Sequence, residues 1–206
     1  DAAGNLESVS DTVEIYDPVH SQFLPTDITL SQPRAFHTAT LLGTGEVMIV
    51  GGRNLSGSLS SASIINIDGP VFEAPVTVAP DFQARYDHAA TRLPDGSVLI
   101  VGGTDAGGNA LDSTYRYFPT DNSFRLQGRM KRPRTGHTLS PMFRSAEFAV
   151  VTGGKNGATV HGSVEIFTVN PAQLGCLDDQ VPEPVNGCWL ELPTLELSPP
   201  RWGHAA

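Results

Sequence analysis

The chain has 206 residues, of which 39% are hydrophobic and 17% charged, so it is long enough for one sizeable soluble domain or two small ones. Its net charge of −9 argues against nucleic-acid binding, which needs a basic surface, and the isolated basic run at 129–134 is typical of a solvated turn. No apolar stretch approaches the roughly 20 residues that cross a bilayer. The lack of a signal-peptide pattern says little, because the chain begins with Asp1 rather than Met.

The first predicted elements form an incomplete unit at residues 1–33. The segment Val13–Pro18 alternates in polarity and ends in a turn, which predicts a strand, and Phe23 is predicted to anchor the strand that follows. Later units carry similar segments in their second halves. We therefore interpret residues 1–33 as a partial unit of an internal repeat.

Three full units follow, at 34–84, 85–133 and 134–200. Each begins with Arg-x-x-His, and each carries a Gly-Gly pair 51 residues after the previous one, at Gly51-Gly52, Gly102-Gly103 and Gly153-Gly154. A fourth Arg-x-x-His opens the segment 201–206. A fixed period of this length indicates a repeat architecture in which neighbouring units pack on one another.

The unit at 85–133 illustrates the predicted elements. A short first strand precedes the turn Pro94-Asp95-Gly96, where Asp-Gly tolerates the positive φ of a tight hairpin. The run Ser97–Val101 is continuously apolar and predicts a strand that is buried on both faces. Thr114–Pro119 predicts the third strand, and Phe124 anchors the fourth. Since no segment keeps a helical period for two turns, the sequence predicts an all-β fold of four-stranded units.

The order Arg-x-x-His, Asp-Gly, Val-Leu-Ile-Val-Gly-Gly and Tyr-Asp-Pro resembles Kelch repeats, most closely the bacterial type related to the propeller of galactose oxidase. This resemblance implies a β-propeller of four-stranded Kelch-type blades, with three complete blades and partial blades at both ends. Two departures occur: Ser63–Asp68 lacks the Tyr-Asp-Pro ending, and Arg144–Ala146 replaces Asp-Gly. Because Kelch propellers close with more blades, we expect a fragment whose other blades come from the same longer chain or from a partner chain.

Both cysteines, Cys176 and Cys188, lie in an acidic, proline-containing insertion at 172–188 in the last full unit. A disulfide between them would stabilise the loop by roughly 3 kcal/mol and would fit an exported protein. Two unpaired cysteines or half of a metal site are the competing interpretations, and zinc is disfavoured because no His or further Cys stands nearby at metal spacing. We therefore expect a secreted or cell-surface protein.

A residue that recurs in every unit is expected to serve the unit. We assign a structural role to the repeated Arg and His residues: Arg34, His37, Arg85, His88, Arg134, His137, Arg201 and His204. In Kelch propellers the segment between this Arg and His, together with the loop after Gly-Gly, lines one mouth of the central channel. The resulting candidate binding residues are Phe36, Arg53, Asn54, Tyr86, Asp87, Asp105, Lys155, Asn156 and Trp202.

Aromatic faces with mixed polar groups suit a protein or carbohydrate ligand. The sequence therefore predicts a binding or interaction module, with no cofactor, no metal site and no catalytic residue. Two alternatives stay open: the propeller part of a larger secreted oxidase or carbohydrate-active enzyme whose chemistry lies mostly outside this segment, and a structural component of a cell-surface assembly. Copper radical chemistry is disfavoured, because both cysteines lie in the insertion and Tyr86 is one residue out of register with a ligand tyrosine.

Overall fold

The chain folds into short antiparallel strands. The computed structural model describes residues 6, 8–66, 72–142, 148–170 and 187–203, and in this part of the chain no helix occurs that could cross a membrane. The strands are β1 (Thr12–Asp17), β2 (Gln22–Thr29), β3 (Thr38–Leu41), β4 (Val47–Val50), β5 (Arg53–Asn54), β6 (Gly57–Ser58), β7 (Ala62–Asn66), β8 (Phe72–Val76), β9 (Ala89–Arg92), β10 (Val98–Val101), β11 (Thr114–Phe118), β12 (Ser123–Leu126), β13 (Thr138–Met142), β14 (Phe148–Thr152), β15 (Lys155–Asn156), β16 (Thr159–Val160), β17 (Ser163–Thr168) and β18 (Cys188–Glu196).

Three four-stranded sheets follow one another along the chain. Sheet 1 has the order β3-β4-β7-β8, sheet 2 the order β9-β10-β11-β12, and sheet 3 the order β13-β14-β17-β18. All neighbours are antiparallel, so each sheet is a meander, and small hairpins (β5-β6 and β15-β16) stand between the second and third strands of sheets 1 and 3. β1 and β2 form a separate two-stranded sheet. A closed ring of sheets is not seen among the described residues.

Adjacent sheets pack through apolar faces, and β10 shows why its sequence is continuously apolar. All four of its side chains are fully buried, as the run Ser97–Val101 predicts. Val98 and Ile100 belong to the core between sheets 1 and 2, whereas Leu99 and Val101 belong to the core between sheets 2 and 3. A strand with both faces in a core must be apolar at every position.

The Gly-Gly pair that ends each second strand lets the next unit pass close by. Gly102 has φ 58° and Gly103 has φ 100°. A Cβ on Gly102 would lie 2.6 Å from the carbonyl oxygen of Arg134, and a Cβ on Gly103 would lie 2.7 Å from that of Tyr86. Glycine is therefore required by the left-handed backbone at both positions, by the contact with the next unit at Gly102, and by the contact with the linker of its own unit at Gly103.

β1 and β2 cover only part of the outer face of sheet 1. Ile28 and Leu30 pack against Ile49 and Ile65, and beside them lies an open cavity of about 520 Å³. At the junction of sheets 1 and 2 the second strands β4 and β10 share one core. β1 and β2 resemble the third and fourth strands of a full unit. Among the described residues, the second strand that would pair with β1 and pack on β4 is not found, so this face of β4 stays open.

Phe23 does not anchor a core as Phe124 and Trp189 do: it is 64% exposed and packs on Tyr16, with ring centroids 5.1 Å apart. The reason is that, within the described part of the chain, no sheet lies against that face of β2. Other predicted features lie outside the described residues: Cys176, His204, the turn 144–146 and the insertion up to residue 186.

Candidate binding site at one end of the sheets

The linker that opens each unit pairs with the loop that follows Gly-Gly in the same unit. Three isolated β-bridges have the same register, with N–O distances of 2.7–3.1 Å: Ala35 with Arg53, Tyr86 with Thr104, and Thr135 with Lys155. The pairing places all of these segments at one end of the sheets, opposite the turns between the first and second strands. We call this end the mouth.

A chain of backbone hydrogen bonds joins the linkers across the mouth. The N–H of Asp87 donates to the carbonyl of Phe36 (3.1 Å), that of Gly136 to Asp87 (3.1 Å), and that of Gly203 to Gly136 (2.7 Å). All four residues stand two places after the repeated Arg, and all have left-handed backbones with φ between 54° and 65°. The linkers are thus held at fixed spacing by main-chain atoms.

Side chains at equivalent positions of the repeat meet at each junction between units. The guanidinium carbon of Arg53 lies 4.9 Å from the ring centroid of Tyr86 in the next unit, and Nζ of Lys155 lies 3.7 Å from that of Trp202. At the middle junction, the hydroxyl of Thr104 donates to the hydroxyl of Thr135 at 2.8 Å. Cation–π pairs therefore occupy two of these junctions, and a hydroxyl pair occupies the third.

Several of these groups face solvent. Phe36 is 50% exposed and Trp202 is 53% exposed, and Phe36 lies 6.3 Å from Tyr86 between ring centroids. We define the mouth surface as the six residues that the linkers and loops bring together: Phe36, Arg53, Tyr86, Asp87, Lys155 and Trp202. The sequence had predicted all six as candidates.

Asp87 carries the negative charge of the mouth surface. Its side chain is exposed at the open side of the mouth, yet the linkers around it desolvate the carboxyl enough to raise its pKa. Lys155 and Arg53 act in the opposite direction and lower that pKa, but by less than desolvation raises it. The carboxyl therefore lies within the electrostatic reach of both cations.

The other three candidates belong to the loops themselves. The Asn54 side-chain oxygen accepts from the N–H of Ser56 at 2.8 Å. One Asp105 oxygen accepts from the N–H groups of Gly107 and Asn109, both at 2.8 Å, and these bonds lower the pKa of that carboxyl. Asn156 ends β15 at the start of an exposed hairpin turn. Local turn bonds account for Asn54 and Asp105, so we leave all three out of the mouth surface.

The repeated arginines lie behind the mouth and bind backbone oxygens. Nη1 of Arg34, Arg85 and Arg134 donates to the carbonyl of the first glycine of the pair at 2.9, 2.9 and 2.7 Å. Nη2 of each donates to a serine hydroxyl at the start of the third strand or just before it, and Arg134 also pairs with the buried Glu165 at 2.6 Å. The side chain of Arg201 is exposed, although its carbonyl accepts from Gly154 as the repeat requires.

The repeated histidines form a row at the entrances to the first strands, with His37 before β3, His88 before β9 and His137 before β13. Nε2 of His88 lies 2.9 Å from the hydroxyl of Thr38 in the neighbouring sheet. Burial holds the pKa of His88 well below its ordinary value, and the charges of Arg85, His137 and His37 add to this effect. Burial, and then Arg34, also lowers the pKa of His37. A neutral imidazole is therefore favoured at both positions.

The structure shows two contact residues that sequence reasoning missed, Thr104 and Thr135. Their positions equal those of Arg53 and Tyr86 in the register of the repeat, which is the signal that would have found them. Among the described residues, no three His, Cys, Asp or Glu side chains converge as metal ligands would. Cys188 is buried at the start of β18, while Cys176 lies outside the described residues, so their pairing stays a prediction.

Comparison with known proteins points to Kelch repeats. No family model matches the chain. It is 28% identical over 157 residues to the human Kelch domain-containing protein 1, a match that covers 71% of this chain and 38% of that protein. It is also 34% identical over 86 residues to an F-box/kelch-repeat protein of Arabidopsis thaliana, which covers 37% of this chain and 18% of that protein. The matches thus cover well under half of the length of each relative. The consecutive four-stranded sheets, together with these similarities, fit a β-propeller.

Proposed function

We propose that the chain is a protein-interaction module, part of a Kelch-type β-propeller, that binds a partner protein through the mouth surface. The similarity to Kelch proteins supports an interaction role. Tyr, Trp and Arg are the residues most enriched at the energetic centres of protein interfaces. Arg53 and Tyr86 are in contact at this end of the sheets, with Phe36 exposed beside them, and Trp202 stands at the same end against Lys155.

The backbone of Phe36 and Asp87 carries the argument. Both residues have left-handed φ (56° and 54°) at the repeat position where Gly136 and Gly203 stand in the other units. A left-handed backbone costs a residue with a Cβ roughly 1–2 kcal/mol relative to glycine, and such strain is found preferentially at functional sites. Because glycine fits this position at no such cost, the side chains of Phe36 and Asp87 are expected to serve recognition.

The test replaces Phe36 by the residue that the other units use. We expect Phe36→Gly to change the free energy of unfolding by less than about 1 kcal/mol, because relief of the left-handed strain offsets the greater entropy of the unfolded chain. The same change should abolish capture of partner proteins from extracts of the source cells, measured by quantitative mass spectrometry.

Leu41→Ser is the matched control, since Leu41 on β3 is 60% exposed, close to the 50% of Phe36, but stands beside the turn between the first and second strands, opposite the mouth. Proteins retained by the wild type and by Leu41→Ser, but lost with Phe36→Gly, would support the proposal. If Phe36→Gly leaves the captured proteins unchanged, the proposal is overturned. Selective binding of one glycan on an array would instead identify the mouth surface as a carbohydrate-binding site.

We also propose that the parent protein is an exported, larger propeller of the galactose oxidase-like Kelch type, with a Cys176–Cys188 disulfide. The placement of both cysteines in one insertion supports the pairing. Alkylation of the native protein without reduction, followed by mass spectrometry, should leave both thiols unlabelled. Labelling of either thiol would overturn the disulfide.

A further inference from the structure

The two cations of the mouth surface have no carboxylate partner of their own. Among the described residues, no Asp or Glu oxygen lies within ion-pairing distance of Arg53 or Lys155; the ion pairs found there involve other arginines and His20. Each cation rests instead on an aromatic ring of the next unit. An aromatic face holds a cation without saturating its hydrogen-bond donors, so these donors stay available.

The chain as a whole is acidic, with a net charge of −9, yet at this end of the sheets Arg53 and Lys155 have no carboxylate partner among the described residues. Asp87 lies within the electrostatic reach of both but is itself incompletely compensated, because desolvation outweighs the two cations in setting its pKa. A carboxylate on a ligand would be attracted by Arg53 and Lys155 and repelled by Asp87. Recognition at such a site depends strongly on the charge of the ligand.

The apolar part of the mouth surface lies next to these donors. Phe36 and Tyr86 are in ring contact at 6.3 Å, and Tyr86 is the ring beneath Arg53. The exposed Leu55 (68%) stands on the turn of the β5-β6 hairpin that begins with Arg53. One ligand segment can therefore contact a cation and an apolar surface within a few residues.

We propose that the mouth surface binds a protein segment that carries a Glu or Asp side chain beside an apolar residue. Arg53 and Lys155 pair with its carboxylate, Phe36 and Tyr86 pack against its apolar neighbour, and Asp87 sets selectivity by weakening binding. This inference rests on the proposed function and adds the chemistry of the partner to it.

The test measures binding of the purified chain to short synthetic peptides in matched sets, with Glu, Gln or Lys at the central position between two leucines. We expect preferential binding of the Glu peptides. Arg53→Gln and Lys155→Gln should each weaken that binding by about tenfold, as loss of a charge-assisted hydrogen bond does. The Gln peptides should be unaffected, and added salt should reduce the difference.

Asp87→Asn is the decisive variant, because it is expected to strengthen binding of the Glu peptides by about threefold or more, as removal of a like charge does. Arg92→Gln is the matched control and should leave binding of the Glu peptides unchanged. Arg92 is an exposed arginine at the end of β9 that points away from the mouth. The urea midpoint of every variant shows whether it is folded.

Preference for the Lys peptides, lost in Asp87→Asn, would overturn the proposal and make Asp87 the ligand-binding group. Equal binding of all three peptides, or none of any, would also overturn it. If Phe36→Gly still abolishes partner capture in those cases, the interaction function stands and only the partner's charge is wrong. If capture is insensitive to Phe36→Gly while the Glu peptides bind as expected, the proposed function fails instead.

Discussion

Each full unit places one arginine inside the protein, where its guanidinium joins the start of the unit to the second and third strands. In the unit that begins with Arg134, the donors reach the carbonyls of Gly153 and Ser163, the hydroxyl of Ser163 and the carboxylate of Glu165. The side chains of Arg134 and Glu165 are both fully buried. Glu165 in turn accepts from the N–H of Lys131 at 2.7 Å, so the pair also holds the preceding linker.

Arg134→Lys should destabilise the protein by about 3–5 kcal/mol, because it leaves a buried carboxylate and buried carbonyls without the planar fork that satisfies them. Urea unfolding measures the free energy of unfolding. The control is Arg125→Lys, since Arg125 pairs with Asp121 on the surface, and it should cost less than about 0.5 kcal/mol. Equal effects of the two substitutions would contradict the structural role.

At the scale of the element, the exit of each second strand is shaped by contact with the next unit. Gly102 and Gly157 have nearly the same backbone, with φ of 58° and 56°. A Cβ on Gly102 would meet the carbonyl oxygen of Arg134 at 2.6 Å and Cε1 of His137 at 2.8 Å, whereas a Cβ on Gly157 would meet nothing within 4 Å. Alanine substitutions at Gly102 and Gly157 therefore separate the free-energy cost of the left-handed conformation from the cost of the contact with the next unit.

Gly157→Ala should lower the free energy of unfolding by about 1 kcal/mol, the cost of a left-handed alanine. Gly102→Ala should lower it by about 3 kcal/mol or more, because backbone atoms of the next unit must also move. Thermal or urea unfolding of both variants provides the comparison. If Gly102→Ala costs no more than Gly157→Ala, the packing explanation of the Gly-Gly pair is wrong.

At the scale of the whole molecule, the row of first-strand histidines couples neighbouring sheets. Thr38 of sheet 1 contacts His88, which opens sheet 2, and His88 feels the charges of both His37 and His137. Protonation of His88 therefore acts on the interface between sheets. The folded protein favours the neutral form of His37 and His88, and burial is the main cause.

Stability should consequently fall as the pH drops below about 6.5, the ordinary pKa of histidine. The folded pKa values of His88 and His37 are lowered, so the unfolded chain takes up protons that the folded chain does not, and the loss begins at the unfolded pKa. Each such histidine contributes at most about 1.4 kcal/mol per pH unit.

Urea unfolding between pH 7 and pH 5 measures this slope. His88→Gln should flatten it, while the glutamine amide can still form a hydrogen bond with the hydroxyl of Thr38. A slope in the wild type that His88→Gln does not reduce would assign the pH dependence to other groups.

The sequence by itself determined the all-β character and the four-strand unit, because these features follow from local patterns: alternation, Asp-Gly turns, a doubly buried apolar run and a fixed period. Val98–Val101 illustrates this, since a strand with no polar residue has few folded environments other than two cores. The segments expected at the mouth followed from the resemblance to Kelch repeats. The six residues of the mouth surface were also among the predicted candidates, because the repeat leaves their positions free.

Only the tertiary structure decided which of those candidates act together. Asn54 and Asp105 look as suitable as Arg53 in the sequence, but their oxygens accept bonds within their own turns. Arg53 meets Tyr86, and Lys155 meets Trp202, across junctions between units that local patterns do not encode. The left-handed backbone of Phe36 and Asp87 was likewise invisible in the sequence, because hydrogen bonds between successive linkers fix it and propensity alone would not.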